Sequence, residues 1–374
     1  MTKEEYRAAI DDVIYLVSCA VNGTKADISR VAAMNLEQVY AAANRHLLTA
    51  ITAAALESAG VRDEAFTQAK GKAIRRVAAM DVDKALLLAQ LESAGIWYIP
   101  LKGAVLKDYY PAYGLREMTD FDILFDADSA DDVRRIMEGL GFTTVEFGTS
   151  VRDVYFKQPV SKYEMHRALF GPIHGERPSA YYADVKQRLI KDEGNSCGWH
   201  FSVEDFYIYI TAHEYKHYSY GGTGLRSLLD IYVYLRRFGD AMQWDYVQSE
   251  VGKLGLSDFE ARNRRLAMNL FSGGQLSADD RGMLDYIALS GAYGTFEHSV
   301  ANRLKAYGGG KRGKARYLMN RIFLPMESIQ RAYPFFYQHK LLLPLLFFYR
   351  VGRALSVSWL RVKREIKVLM RRNG

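Results

Sequence analysis

Apolar residues recur at every third or fourth position through 4–22, 27–59 and 64–94, in a background rich in Ala, Leu, Glu and Lys. That spacing predicts three helices. Asp27 and Ser29 are cap candidates, and Gly60 follows the second run. In the third, Val82, Ala85, Leu86 and Ala89 share one face, and Leu87, Leu88 and Leu91 widen it. This face is expected to be buried against a sheet.

After residue 95 the period shortens. Ile96–Leu101, Asp120–Phe125, Phe142–Phe147, Val154–Gln158 and Tyr163–Leu169 read as strands. Ala104–Tyr110 reads as a short helix. Ser129–Leu140 reads as an amphipathic helix, opened by Ser129 with Asp131 and Asp132 and closed at Gly141. The order of elements predicts an α+β fold, a mixed β-sheet with helices on one side. From Glu204 onward helices return, over Glu204–His217, Leu225–Phe238, Trp244–Leu254, Asp258–Ser272, Ala278–Leu289 and Thr295–Leu304. Gly308–Lys314 reads as a flexible basic loop, and it lacks the spacing of a P-loop. Tyr317–Ile322 and Lys340–Arg372 read as helical, with a break at Pro344. Four regions follow: 1–95, N-terminal and helical; 96–200, the sheet core; 201–305, a helical domain; 306–374, a C-terminal helical basic tail.

Composition refines this only slightly. A chain with 49% hydrophobic and 25% charged residues is ordinary for a globular protein. Two cysteines, Cys19 and Cys197, make neither a disulfide framework nor a cysteine zinc site. The polar, acidic start Met1–Tyr6 has no signal-peptide character, so a cytoplasmic protein is expected. Eight basic residues from Arg350 to the end, against the single acid Glu365, equal the whole net charge of +7. An anionic partner, membrane surface or nucleic acid, would therefore be met through that tail. Leu341–Phe348 is too short to span a bilayer and is interrupted by Pro344. A core helix with a solvated basic end would give the same pattern.

Candidate chemistry concentrates at Asp120 and Asp122, two carboxylates within an apolar run. Residues two apart on a strand point to one face, so these two stand side by side. Like charges that close favour a divalent cation between them, and phosphoryl or nucleotidyl transfer is the matching chemistry. A solvated strand end is the plainer reading. Lys102 and Arg116 are candidate triphosphate contacts or surface ion-pair partners, and Gly103 permits close backbone approach.

Leu101-Lys102-Gly103, Arg116 and Asp120-Phe121-Asp122-Ile123-Leu124 together resemble the core motif of uncharacterised bacterial nucleotidyltransferases of the polymerase-β superfamily. Residues 27–95 look like that family's leading helices. Tyr163-Glu164-Met165-His166 is similar to its following acidic strand, and His213, His217, Leu225, Leu228, Asp230 and Trp244 fall in its helical region with paired histidines. The resemblance implies a nucleotidyltransferase core flanked by helical regions. Gly103 is implied as the turn glycine, Asp120 and Asp122 as the paired metal acids and Glu164 as the third acid. It further implies Mg²⁺, as two ions, with an NTP such as ATP as substrate. Ala104 stands where the family has Ser, and Glu164 where Asp is commoner. These departures leave a second reading, a catalytically silent nucleotide-binding or interaction protein that keeps the fold.

Transfer of a nucleoside monophosphate from an NTP to an unknown acceptor builds charge on attacking, leaving and non-bridging oxygens. Two metal ions about 3.5–4 Å apart stabilise both ends of such a displacement. A competing motif, His213-Glu214-Tyr215-Lys216-His217, matches the zinc-protease helix, with Glu214 as its general base. Tyr220 stands where metzincins have Gly and no third His follows at their spacing, so this is the weaker alternative. His213 and His217 are expected to pack on the catalytic core, satisfied by neighbours such as Asp230, or to reach the nucleotide. His166 shares a strand face with Glu164 and either touches the site or is a hydrogen-bonded core histidine. Tyr207, Tyr209, Tyr215, Tyr218 and Tyr220 suit base stacking or, equally, helix packing.

Overall fold

Capping chemistry sets the first helices of the computed structural model, which describes residues 1–324, 326–356, Lys363 and Leu369. Helix α1 (Lys3–Asn22) opens with a reciprocal capping box. Thr2 N–H donates to Glu5 Oε2 (2.6 Å) and Glu5 N–H to Thr2 Oγ1 (3.2 Å). The single helix expected over 27–59 is three: α2 (Ile28–Ala32), α3 (Leu36–His46) and α4 (Thr49–Ser58). Asp27 and Asn35 each cap a new start, and Leu47 ends α3 in a left-handed conformation (φ 57°). Local caps here override a continuous apolar period.

Helix α5 (Glu64–Ser93) follows. It buries Ala73, Val77, Met80, Leu87 and Leu91. Of the face expected to be buried, Leu87 and Leu91 are buried and Leu88 packs beside them, whereas Val82, Ala85, Leu86 and Ala89 are exposed. Two registers of the same helix carry apolar residues, and only the one holding Val77 and Met80 meets the sheet. Tyr163 Oη donates to the carbonyl of Met80 (2.6 Å), and Asp83 accepts Lys157 Nζ (2.7 Å) and Ser161 Oγ (2.5 Å).

Strand β1 (Tyr98–Leu101) leads into the one-turn helix α6 (Gly103–Leu106) and a 3-10 turn, Lys107–Tyr109. Strand β2 (Phe121–Phe125), helix α7 (Ala130–Gly139), and strands β3 (Thr143–Glu146), β4 (Arg152–Lys157) and β5 (Ser161–His166) complete the sheet. Its order is β1-β2-β5-β4-β3; β2 and β5 are parallel and the other pairs antiparallel. The fold is thus α+β around a mixed sheet, as expected. Alternation along the strands divides the sheet into two faces. Phe121, Ile123, Phe125, Tyr155, Tyr163 and Met165 form one core with α5 and α7 residues such as Val77, Met80, Val133 and Met137. The intervening positions, Asp122, Leu124, Glu164 and His166, belong to the opposite face.

Next come α8 (Glu176–Tyr181) and a small hairpin, β6 (Leu189–Lys191) with β7 (Trp199–Phe201), which the sequence reading missed. Three-residue strands are too short to show a period. Helices α9 (Val203–Tyr220), α10 (Leu225–Phe238), α11 (Trp244–Leu254), α12 (Ser257–Ser272) and α13 (Ala278–Ser290) match the expected helices to within a few residues. The N-terminal helices pack on them. Asn22 Nδ2 donates to the carbonyl of Phe271 (2.8 Å). His46 is buried against Tyr6, the carbonyl of Ala288 and the backbone N–H of Leu225.

Two compact units divide the chain. The first comprises Met1–Lys216 and Gly224–Ala292; the second comprises His217–Thr223 and the chain from Tyr293 onward. The second holds α14 (Phe296–Ala306), α15 (Gly310–Ile322), α16 (Met326–Ala332), α17 (Pro334–Gln338) and α18 (Leu343–Ser356). Its core is Val300, Leu304 and Tyr317. The loop expected at Gly308–Lys314 is mostly the start of α15, since Gly310–Lys314 is helical. Pro344 is the second residue of α18, where a missing N–H costs nothing, so it opens a helix and breaks none. Most of the basic tail beyond Ser356 lies outside the described residues.

Candidate active site

The pairing of two parallel strands builds the site. In the β2–β5 register Asp122 lies opposite Glu164 and Leu124 opposite His166. Asp122 and Glu164 therefore share a face, and His166, two residues on, joins them. Ligand atoms of Asp122, Glu164 and His166 all lie within 4.8 Å of one another, and all three residues are buried. Among the described residues no other group of three or more His, Cys, Asp or Glu converges in this way.

Cations surround these carboxylates. Lys102 Nζ (2.6 Å) and His166 Nε2 (2.8 Å) both approach Asp122 Oδ1. Lys162 Nζ donates to Glu164 Oε1 (2.7 Å), and Arg152 Nε lies 2.6 Å from Glu164 Oε2. Lys162 also reaches Asp120 Oδ2 at 3.4 Å, and Thr119 Oγ1 donates to Asp120 Oδ1 (3.0 Å). The structure thus brings Asp122 and Glu164 into one group with His166. Asp120, its side chain 31% exposed, connects to Glu164 through Lys162.

These neighbours set the protonation states. Burial alone would raise the Asp122 carboxyl, but Lys102 and His166 outweigh it and hold it well below the usual carboxylate range. Burial and the charge of Asp122 push Glu164 up; Lys162 and Arg152 more than offset them, and it too is lowered. Burial pushes the His166 imidazole down despite its carboxylate neighbours. From α9, Lys216 feels the charges of Lys102, Asp122, Arg152 and Glu164, and burial first, then Lys102, brings it down to about 8.

The β1–α6 turn carries backbone strain. Lys102 adopts φ 47° and ψ −119°, a region disfavoured for a residue with a side chain. This turn aims Lys102 at Asp122. A Cβ on Gly103 would collide with Arg116 Nη1 and with Met118 Sδ, so a larger residue there would force both side chains to shift. Ala104 is buried in the sheet core. Arg116, expected at the triphosphate, is itself buried; its Nε and Nη2 donate to the two oxygens of Asp230 at 2.8 Å each. It clasps the β1–β2 connection to α10 and remains within electrostatic range of Asp120.

Sequence reasoning missed Lys162, Arg152 and Lys216. Lys162 had a signal, since it stands two before Glu164 and must share its face. Arg152 had none, because its pairing opposite His166 comes from the antiparallel β4–β5 register. Glu214, the general base that the protease reading needs, is buried and accepts Asn263 Nδ2 at 2.7 Å. Burial, and to a smaller extent Asp230, pushes its carboxyl up to about 8, so it is largely protonated at neutral pH and unsuited to that role.

The donor set fits a divalent ion. Two carboxylates and an imidazole converge, and His166 Nδ1 is buried without a hydrogen-bond partner. Comparison with known proteins agrees in kind: residues 32–272 match the model of a family described as uncharacterised nucleotidyltransferase. No curated protein and no solved structure matches the chain.

Proposed function

The chain belongs to the uncharacterised nucleotidyltransferase family, and from that premise we propose that it moves a nucleoside monophosphate from an NTP to an acceptor hydroxyl with the help of Mg²⁺. The observation that carries this reading is the grouping of Asp122, Glu164 and His166 on one sheet face, ringed by Lys102, Lys162 and Arg152. Asp122 and Glu164 would hold the metal, with Asp120 at the solvent-facing side completing the acids. A divalent ion there would stabilise charge on the phosphate oxygens and acidify the acceptor hydroxyl.

In the transfer, the acceptor oxygen forms a bond to the α-phosphorus as the bond to pyrophosphate breaks. The three carboxylates are balanced by three cations. Binding of a metal–nucleotide complex therefore lets Lys102, Lys162 and Arg152 exchange carboxylate oxygens for phosphate oxygens at little electrostatic cost. Asp120, the most exposed of the acids, would accept the hydroxyl proton. Gly103 and Arg116 act by position: the arginine, buried on Asp230, supports the turn that presents Lys102. The acceptor hydroxyl belongs to a small molecule, a protein side chain or a nucleic-acid end, and the cytoplasm, with its NTPs and Mg²⁺, is the matching compartment.

A silent nucleotide-binding protein is the second reading, favoured by Ala104, which brings no hydroxyl to the turn. Calorimetric titration with ATP and Mg²⁺, on wild type and on Asp122→Asn, tests the shared premise; metal-dependent binding lost in the variant is expected. Absence of any nucleotide binding would refute both readings. Pyrophosphate release with candidate acceptors then separates an enzyme from a silent binder.

A further inference from the structure

The chain from residue 310 to the end carries fifteen lysines and arginines against two acids, Glu327 and Glu365, for a net charge of +13. The preceding 309 residues therefore sum to −6. This charge lies wholly beyond the family match, which ends at residue 272. The same segment is unusually apolar on its surface. Among the described residues, 11 of the 23 exposed large hydrophobic side chains fall within residues 310–356, a small part of the chain. Leu341 is 96% exposed and Phe348 69%.

The pattern in α18 is directional. Leu346 is buried and Leu343 and Arg350 are half-buried, at the i, i+3, i+7 spacing of one face. Leu345, Phe348 and Tyr349 are exposed on another face, with Leu341 just ahead of the helix. Exposed Lys340 and Arg353 flank that stripe. No described helix is long and apolar enough to cross a membrane. Exposed aliphatic side chains beside a surplus of cations match the interfacial helices that lie in the headgroup region of anionic bilayers. Nucleic acid would satisfy the cations and the aromatic rings, but leaves Leu341 and Leu345 without a partner.

We propose that residues 310–356 form an interfacial anchor for an anionic lipid surface. Leu341, Leu345 and Phe348 enter the headgroup–acyl boundary, and Lys340 and its neighbouring cations lie among the lipid phosphates. This inference is independent of the catalytic reading, because none of these residues belongs to the sheet site.

The test is co-sedimentation of the full chain with phosphatidylcholine vesicles, with and without roughly a third phosphatidylserine. Binding to the anionic vesicles is expected to be about tenfold tighter or more and to weaken with salt. Leu341→Glu/Leu345→Glu/Phe348→Glu should abolish it while the circular-dichroism spectrum and urea midpoint stay those of wild type. Lys340→Gln, which leaves the apolar stripe intact, should weaken it about fivefold. Equal binding to both vesicle types, or retention by the triple variant, would overturn the proposal. So would preference for an RNA duplex over the vesicles, or a wild-type dimer by light scattering that the triple variant dissolves.

Discussion

Glu214 offers a sharp test of how the helical region is read, because its two candidate roles predict opposite outcomes for one substitution. In the observed packing it is a buried acid bonded by Asn263 Nδ2 (2.7 Å), with Glu214 Oε1 and Asn263 Oδ1 both left without partners. Burial, the larger cause, and the charge of Asp230 raise its carboxyl from 4.5 to about 8. A folded-state pKa above the unfolded value means that folding favours the protonated form. The unfolded chain gains by releasing the proton, so stability falls as pH rises from 4.5 toward 8. Each pH unit in that window is worth about 1.4 kcal/mol, so roughly 3 kcal/mol is lost between pH 4.5 and 7. Glu214→Gln removes the titration, and the amide can donate to Asn263 Oδ1. The variant should be about 3 kcal/mol more stable than wild type at pH 7 and close to it at pH 4.5, read as urea midpoints at both values. Nucleotide binding should be unchanged. Equal destabilisation at both pH values would mean that an ionised carboxylate is needed there, and the reasoning would fail. Stoichiometric zinc in wild type, lost in the variant, would revive the protease reading.

Three further perturbations probe the fold and the site. Burial, aided by the charge of Arg45, lowers the His46 imidazole from 6.5 to about 4, so its stabilisation is complete above pH 6.5 and is lost as pH falls toward 4. That amounts to roughly 3 kcal/mol, and His46→Gln should flatten this acid limb of the unfolding midpoint; an unchanged limb refutes the assignment. Asp230→Ala would leave the Arg116 guanidinium buried without its carboxylate, at about 3–5 kcal/mol, whereas the apolar pair Arg116→Met/Asp230→Leu should recover much of the loss. A single-variant cost near zero by urea unfolding would show the pair to be dispensable. Lys162→Met removes a cation that bridges Asp120 and Glu164 and is about a third exposed; discounted for solvent, the bridge is worth about 1 kcal/mol. Calorimetry should find Mn²⁺ bound about fivefold more tightly without nucleotide and ATP bound more weakly; a fall in metal affinity contradicts the exchange of cations.

Much of the fold could be read from the chain because caps and strand alternation are local. The α+β class and the helices from α9 to α13 emerged from period alone. Misreadings arose where two local signals competed or where tertiary contact decided. Over 27–59 the apolar period continued through Asn35 and Leu47, which the backbone uses as stops. On α5, two apolar faces were available, and only contact with Tyr163 and Phe121 selects the one holding Val77 and Met80. At the site, Asp122 and Glu164 were visible as residue types. Their alignment depends on a parallel register between strands separated by α7, β3 and β4, which no local pattern encodes. The buried pairing of Arg116 is illegible for a similar reason, since its partner Asp230 lies 114 residues further on.

The two departures from the family motif bear differently on turnover. Glu164 is one methylene longer than aspartate, yet it stands directly opposite Asp122 in adjacent strands, where the backbones are about 4.8 Å apart. Its carboxylate and that of Asp122 still meet within 4.8 Å. The extra length is taken up between Arg152 and Lys162, which hold one oxygen each. Glutamate at this position therefore keeps its carboxylate within reach of Asp122 and His166 and beside two cations, which the proposed function would turn to phosphate. Ala104 is different in kind. It is buried among Met118, Phe121 and other core residues, so a serine hydroxyl there would first need a partner of its own. Under the proposed function, phosphate recognition would rest on side-chain cations in place of a turn hydroxyl, with strained Lys102 beside the same turn as the first of them. Loss of ATP affinity in Lys102→Met that exceeds the loss in Lys162→Met is the order this arrangement requires.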